Sequence, residues 1–132
     1  MKWLVRSAMV ALYPSTETMG GIEATEVDVF LERYQREAPP MLWAGLVLGS
    51  ALFAASPLLT VGRPLPSFLL DDETLDAHAH ALAGHPIYLV RQATFLIKLA
   101  AGLCWGSDPK VRERFSLDPY PADLGTYRGL QR

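Results

Sequence analysis

The chain has 132 residues, half of them apolar and a fifth charged, which predicts one domain with its own hydrophobic core. Its net charge of −2 comes from 12 basic and 14 acidic residues without a basic run, which argues against nucleic acid as a partner. The apolar share is high for so small a domain, and surplus apolar surface usually faces a partner, a membrane or a large ligand. The single cysteine, Cys104, cannot form an internal disulfide and fits a reducing compartment, so we expect a cytoplasmic protein, with membrane association left open.

The amino-terminal stretch from Lys2 to Leu12 predicts a first helix that ends before Pro14. Arg6 interrupts the apolar run, which disfavours a signal peptide. The polar loop that follows contains Gly20-Gly21 but lacks the strand, third glycine and helix of a phosphate-binding turn. This region therefore predicts a helix and a loop without a nucleotide site.

A second helix is predicted after Thr25, where Asp28 stands three residues on, as in a capping box. Apolar residues recur at i, i+3, i+4 and i+7, which is the spacing of one helix face: Val27, Phe30, Leu31 and Tyr34. The helix should end at Ala38, before two prolines.

The stretch from Met41 to Gly62 contains no charged residue. It is long enough to cross a bilayer, and Gly45 and Gly49 have the spacing that lets helices approach closely. Pro57, however, shortens its helical part to about sixteen residues, too few for a typical span. The sequence leaves open a membrane span and a helix buried against protein, and we favour the buried helix.

An extended connector from Arg63 to Pro66 leads to a helix that Asp71 or Asp72 caps and that ends near Ala83. Its inner face should carry three apolar residues: Leu75, Ala79 and Leu82.

Three histidines, His78, His80 and His85, lie in or just after this helix. Residues two apart on a helix point roughly 200° from each other, and His85 follows the glycine that ends the helix. This spacing does not suit a metal site, so we expect solvated or cap-associated histidines and no metal.

The longest helix is predicted from Pro86, in its first turn, to Gly106, and Asp108-Pro109 should begin a short helix after it. Arg91 and Lys98 stand seven residues apart and share one face of this apolar helix. Five residues are candidates for contact with a partner or a substrate: Arg91, Lys98, Asp108, Trp43 and Phe95. A structural alternative for the two cations is snorkelling at the rim of the core.

Together these elements predict an all-α protein, a compact bundle of about five helices with an irregular carboxyl-terminal tail. We expect a single helical domain over 1–132, with a helix and loop over 1–24, a helical core over 25–117 and a tail over 118–132. No nucleophile and base, and no pair of carboxylates, are spaced for catalysis. We therefore assign no catalytic, cofactor-binding or metal-binding residue.

The order of these elements resembles that of a known family. The features that match are the FLERYQREAPP helix, the apolar helix after it, the Arg63-Pro64 connector and the run from Leu82 to Phe115 that contains Arg91, Lys98 and Ser107-Asp108-Pro109. Over Val27 to Tyr120 the chain resembles the helical region ahead of the FAD-binding domain in long-chain alcohol oxidases of the glucose-methanol-choline family.

The dinucleotide fingerprint and the catalytic histidine region of those oxidases have no counterpart here, so this chain is not expected to bind FAD or to oxidise an alcohol. The resemblance implies a non-catalytic small subunit of an FAD-dependent alcohol dehydrogenase or oxidase. FAD would belong to a large flavoprotein partner, which this chain would stabilise and whose apolar substrate channel it would line. The alternative is a small membrane-associated or single-span helical adaptor protein.

Overall fold

The computed structural model describes residues 2–16 and 19–116. Within these ranges there is no strand, and five of the helices are eleven residues or longer, so the all-α class is confirmed. The expected tail over 118–132 lies outside the described residues. The α-helices are α1 (Lys2–Leu12), α2 (Val27–Glu37), α3 (Pro40–Ala55), α4 (Pro57–Thr60), α5 (Asp72–Ala83), α6 (Tyr88–Ser107) and α7 (Pro109–Arg114).

Helix α1 is the centre of the bundle and contacts α2, α3, α5 and α6. Val5, Ala8 and Met9 are fully buried, because their spacing of three and one places them on one side of the helix. Trp3 at the start of the helix remains largely exposed, and its ring forms a T-shaped pair with that of Phe68.

Helices α3 and α6 pack against each other in opposite directions. A Cβ atom added to Gly45 would lie 3.3 Å from Leu96, and one added to Gly49 would lie 3.1 Å from the carbonyl oxygen of Ala93. Gly45 meets Leu96, and the later Gly49 meets the earlier Ala93, so the two helices are antiparallel. The small-residue spacing in α3 therefore brings two helices of this bundle close together.

Local signals explain several helix ends. Asp71 accepts a hydrogen bond from the Thr74 amide at 3.1 Å and caps α5, as its position predicted. Pro57 divides the apolar run into α3 and the short α4, because a proline inside a helix removes a hydrogen bond and clashes with the preceding turn.

Two predicted helix starts are wrong. The hydroxyl of Thr25 donates to the carbonyl oxygen of Ile22 at 2.6 Å, so the capping box with Asp28 does not form, and α2 begins without a side-chain cap. Pro86 lies before the first turn of the longest helix, since α6 begins at Tyr88 with Ile87 as its N-cap.

Candidate functional site

Arg91, the first of the predicted contact residues, is bound to its own chain. Its Nη1 donates to the carbonyl oxygens of His85 and Pro86 at 2.8 and 3.0 Å, and its guanidinium lies 5.8 Å from the centre of the Tyr88 ring. Arg91 thus ties the loop before α6 to the start of that helix. Both hydrogen bonds start from Nη1, so this end of the guanidinium serves the fold.

Asp108 and Trp43 also have structural contacts. Asp108 is buried and its Oδ1 accepts hydrogen bonds from the amides of Lys110 and Val111 at 2.9 and 3.3 Å, so it caps α7. Trp43 is half-buried at the start of α3, with its ring 6.4 Å from that of Tyr34. Oδ1 of Asp108 therefore serves the fold, and the Trp43 ring packs beside Tyr34.

Phe95 and Lys98 remain at the surface. Phe95 is 56% exposed, and Lys98 is exposed one turn further along α6. Lys98 forms no ion pair within residues 2–16 and 19–116. The five predicted residues do not form one cluster, but these two share the outer side of α6.

The three histidines have separate environments. In the part of the chain that the structure describes, no group of three or more potential ligands is arranged to hold a metal ion. His80 is exposed and its Nδ1 donates to the carbonyl oxygen of Asp76, while His85 accepts from the amide of Ile87. His78 is fully buried, so its expected place at the surface or at a cap is wrong.

His78 anchors the break between α3 and α4. Its Nε2–H donates to the carbonyl oxygen of Phe53 at 2.7 Å, and its Nδ1 accepts from the hydroxyl of Thr60. The Phe53 carbonyl needs a partner because Pro57, four residues on, has no N–H group to donate. The histidine therefore satisfies the backbone group that the proline leaves unpaired.

Sequence reasoning missed this contact between Thr60 and His78, although the hydroxyl and imidazole are types that serve in nucleophilic catalysis. Burial lowers the pKa of the His78 imidazole, which favours its neutral form. His78 has no exposed surface, so a substrate cannot reach it in this conformation. The available signal was a proline in an apolar run together with a histidine on the apolar face of α5, between Leu75 and Leu82.

The most extensive unpartnered feature is apolar. Helix α1 contacts both α3 and α6 from one side, and the opposite side of this helix pair is exposed. We call this surface the α3–α6 outer face and define it by seven exposed side chains: Met41, Leu48, Leu52, Leu89, Phe95, Leu99 and Leu103. In a helix pair of this kind the side away from the core is normally polar. The exposed residues of α6 that carry a polar group are Tyr88, Gln92 and Lys98.

A cleft of about 620 Å³ borders this face at Leu103. It lies between α2 and α6, and its lining residues are Phe30, Arg33, Tyr34, Glu37, Ala38, Gly102, Leu103, Gly106 and Ser107. Arg33 and Glu37 form an ion pair at 3.2 Å in its wall. The volume suits a small ligand or an inserted side chain, but the charges in the wall are already matched with each other.

The glycine pair near the amino terminus does not fit an FAD phosphate. A Cβ on Gly21 would lie 2.2 Å from the carbonyl oxygen of Tyr13, so this glycine permits a close crossing of two backbone segments. Its amide donates to the Ser15 hydroxyl, and a 3₁₀ turn over Ile22–Ala24 follows in place of a long helix. These residues therefore do not provide the helix N-terminus that binds a pyrophosphate.

No helix among residues 2–16 and 19–116 combines the length and the apolar character needed to cross a bilayer. Helix α3, the apolar run considered as a span, has 16 residues. Comparisons with protein-family models, with curated proteins and with solved structures found no match.

Proposed function

We propose that this protein is a non-catalytic accessory subunit of an FAD-dependent alcohol dehydrogenase or oxidase of the glucose-methanol-choline type. In this role it stabilises a large flavoprotein subunit, which holds FAD and performs the oxidation. The chain supplies helical surface to the complex, including part of the wall of the apolar substrate channel.

One observation supports this role above the others. The α3–α6 outer face carries seven exposed large apolar side chains in a chain of 132 residues. Exposed apolar area of this extent is typical of surfaces that bind another molecule. Since α3 is apolar on all sides, its outward side needs a cover that the described part of this chain does not supply.

The buried polar groups support the non-catalytic part of the proposal. Asp108 caps a helix, His78 satisfies a backbone carbonyl, and burial raises the pKa of the Cys104 thiol, which keeps it protonated and unreactive. These three buried groups therefore serve the fold in the described structure. The flavoprotein character of the partner is supported by the sequence resemblance over Val27 to Tyr120.

Co-expression tests this function. The chain should be produced with an FAD-dependent oxidoreductase encoded beside it and passed over a size-exclusion column. We expect flavin absorbance and this chain to elute together as a one-to-one complex, and the flavoprotein to lose thermal stability when it is produced alone. A well-folded, monodisperse monomer without affinity for the flavoprotein would contradict the proposal.

The exposed apolar face also favours a second candidate function, a small adaptor protein bound to a membrane surface. In that case the chain should pellet with membranes and be released by high salt or carbonate. Recovery in the membrane-free fraction together with the flavoprotein would support the accessory subunit instead.

A further inference from the structure

We infer that the α3–α6 outer face is the surface that binds the flavoprotein, and that it fits an apolar protein surface with a carboxylate at its edge. This inference rests on the proposed function and adds where the partner docks and what chemistry the partner presents. The centre of the contact is formed by Leu48, Phe95 and Leu99, and Lys98 lies at its border.

The extent of the face matches a protein partner. Leu48 is 70% exposed, Phe95 56% and Leu99 48%. Together the seven side chains of the face expose roughly 800 Å², which is about the area that one protein contributes to an interface of standard size. The largest apolar patch on a typical monomer is about 300–600 Å².

The charges at the face favour a different protein over a second copy of this chain. Neither α3 nor α6 contains an acidic residue, and their charged residues are Arg91 and Lys98. A second copy docked face to face offers no carboxylate on these helices to neutralise Lys98. Glu37, near the Leu103 end, is already paired with Arg33. A partner carboxylate opposite Lys98 satisfies this charge.

The same charges argue against a lipid surface. Helices that lie on membranes are rich in lysine and arginine on their polar face. Helix α6 carries two cations: Arg91 is half-buried and donates to two carbonyl oxygens of its own chain, and Lys98 is exposed. The net charge of the chain is −2, which also gives no attraction to anionic lipids.

The test measures the Kd between the purified chain and the purified flavoprotein for substitutions of exposed residues. Leu48→Asp and Phe95→Asp should each raise the Kd about tenfold or more, because they place a charge in the centre of the contact. Val29→Asp is the matched control, since Val29 is 61% exposed on α2 and points away from its buried residues Val27 and Leu31. We expect it to change the Kd less than about twofold.

Lys98 gives a second readout. Lys98→Glu should raise the Kd and remove part of its salt dependence, whereas Lys98→Arg should retain the Kd of the original chain. Thermal unfolding of each variant, followed by circular dichroism, checks that it folds. If either aspartate variant fails to fold, Leu48→Ser and Phe95→Ser replace them.

The outcomes separate the two proposals. A complex with the flavoprotein whose Kd is insensitive to the outer-face variants overturns this inference and leaves the proposed function standing. Absence of any complex overturns both. A dimer of the chain alone that Leu48→Asp dissociates, or binding to phosphatidylcholine–phosphatidylserine vesicles that Leu48→Asp abolishes, assigns the face to another occupant and also overturns the inference.

Discussion

The two sides of α3 have similar composition and different surroundings. The inner side carries Leu46 and Phe53, which are almost fully buried against the bundle, and the outer side carries Met41 and Leu48, which are 84% and 70% exposed. Burial of apolar side chains stabilises the fold in proportion to the area removed from water. The inner side therefore stabilises the fold, whereas the outer side remains exposed to water and does not.

This difference shows how an apolar helix can serve both folding and assembly. A helix that is apolar all round is normally buried on all sides. In this bundle α1 and α6 cover part of α3, and the described structure supplies nothing for the rest. The proposed partner would cover this exposed side.

The first prediction tests the comparison through side-chain truncation. Phe53→Ala should lower the free energy of unfolding by about 3–5 kcal/mol, because it leaves a cavity against the His78 ring, whose centre is 4.7 Å away. Leu48→Ala on the outer side should change it by less than about 0.5 kcal/mol. Urea unfolding followed by circular dichroism measures both. Equal losses would mean that the outer side is covered in the free chain.

The second prediction sharpens the comparison at the contact between α3 and α6. Gly49→Ala should cost up to about 2 kcal/mol, because its new Cβ would meet the Ala93 backbone oxygen at 3.1 Å, and overpacking of about 1–3 kcal/mol exceeds the gain in helix propensity of about 1 kcal/mol.

Gly45→Ala is the matched control for this contact. Its Cβ would meet the flexible end of the Leu96 side chain at 3.3 Å, and the gain in helix propensity of about 1 kcal/mol offsets that contact. Thermal unfolding of the two variants measures the difference. Equal stability of the two variants would contradict the close approach at Gly49.

The third prediction concerns the polar anchor of the inner side, His78. Burial lowers its pKa in the folded state below the ordinary value of 6.5, so the unfolded chain binds more protons in acid. The contribution of His78 to the free energy of unfolding is fully present well above pH 6.5 and falls as the pH drops towards the folded-state pKa. The total loss is about 1.36 kcal/mol for each pH unit that separates the unfolded-state and folded-state pKa values. Unfolding in urea at a series of pH values from neutral to mildly acidic measures this slope.

Two substitutions test whether His78 causes this dependence of stability on pH. His78→Gln, which keeps an N–H donor for the Phe53 carbonyl without a titrating group, should flatten the dependence on pH. His80→Gln leaves the buried imidazole in place, so this variant should retain the dependence on pH. A slope that survives His78→Gln would mean that another group controls the acid sensitivity.

How far the sequence predicted this fold depends on the range of the interactions. Pro57 and Asp71 act on their immediate neighbours, so the break in the apolar run and the cap of α5 were predictable from local patterns. Thr25 was misassigned because its hydroxyl prefers the Ile22 carbonyl, a choice that depends on how the preceding turn closes.

The functional surface was less predictable for a physical reason. Leu46 and Leu48 lie in a helix without an apolar and a polar side, so no periodicity distinguishes the buried leucine from the exposed one. The burial of His78 likewise follows from the packing of α5 against α1, α4 and α6. Phe95 and Lys98 were identified as contact candidates, whereas Asp108, Arg91 and Trp43 proved to have contacts within the fold.

The central claim, that a partner protein covers the α3–α6 outer face, is tested most directly by side-chain footprinting. The chain would be labelled with hydroxyl radicals, free and in the presence of the flavoprotein, and the modified positions located by mass spectrometry. We expect labelling of Leu48, Phe95 and Leu99 to fall in the complex while labelling of Val29 is unchanged. Unchanged labelling of the outer-face residues in an intact complex would contradict the account.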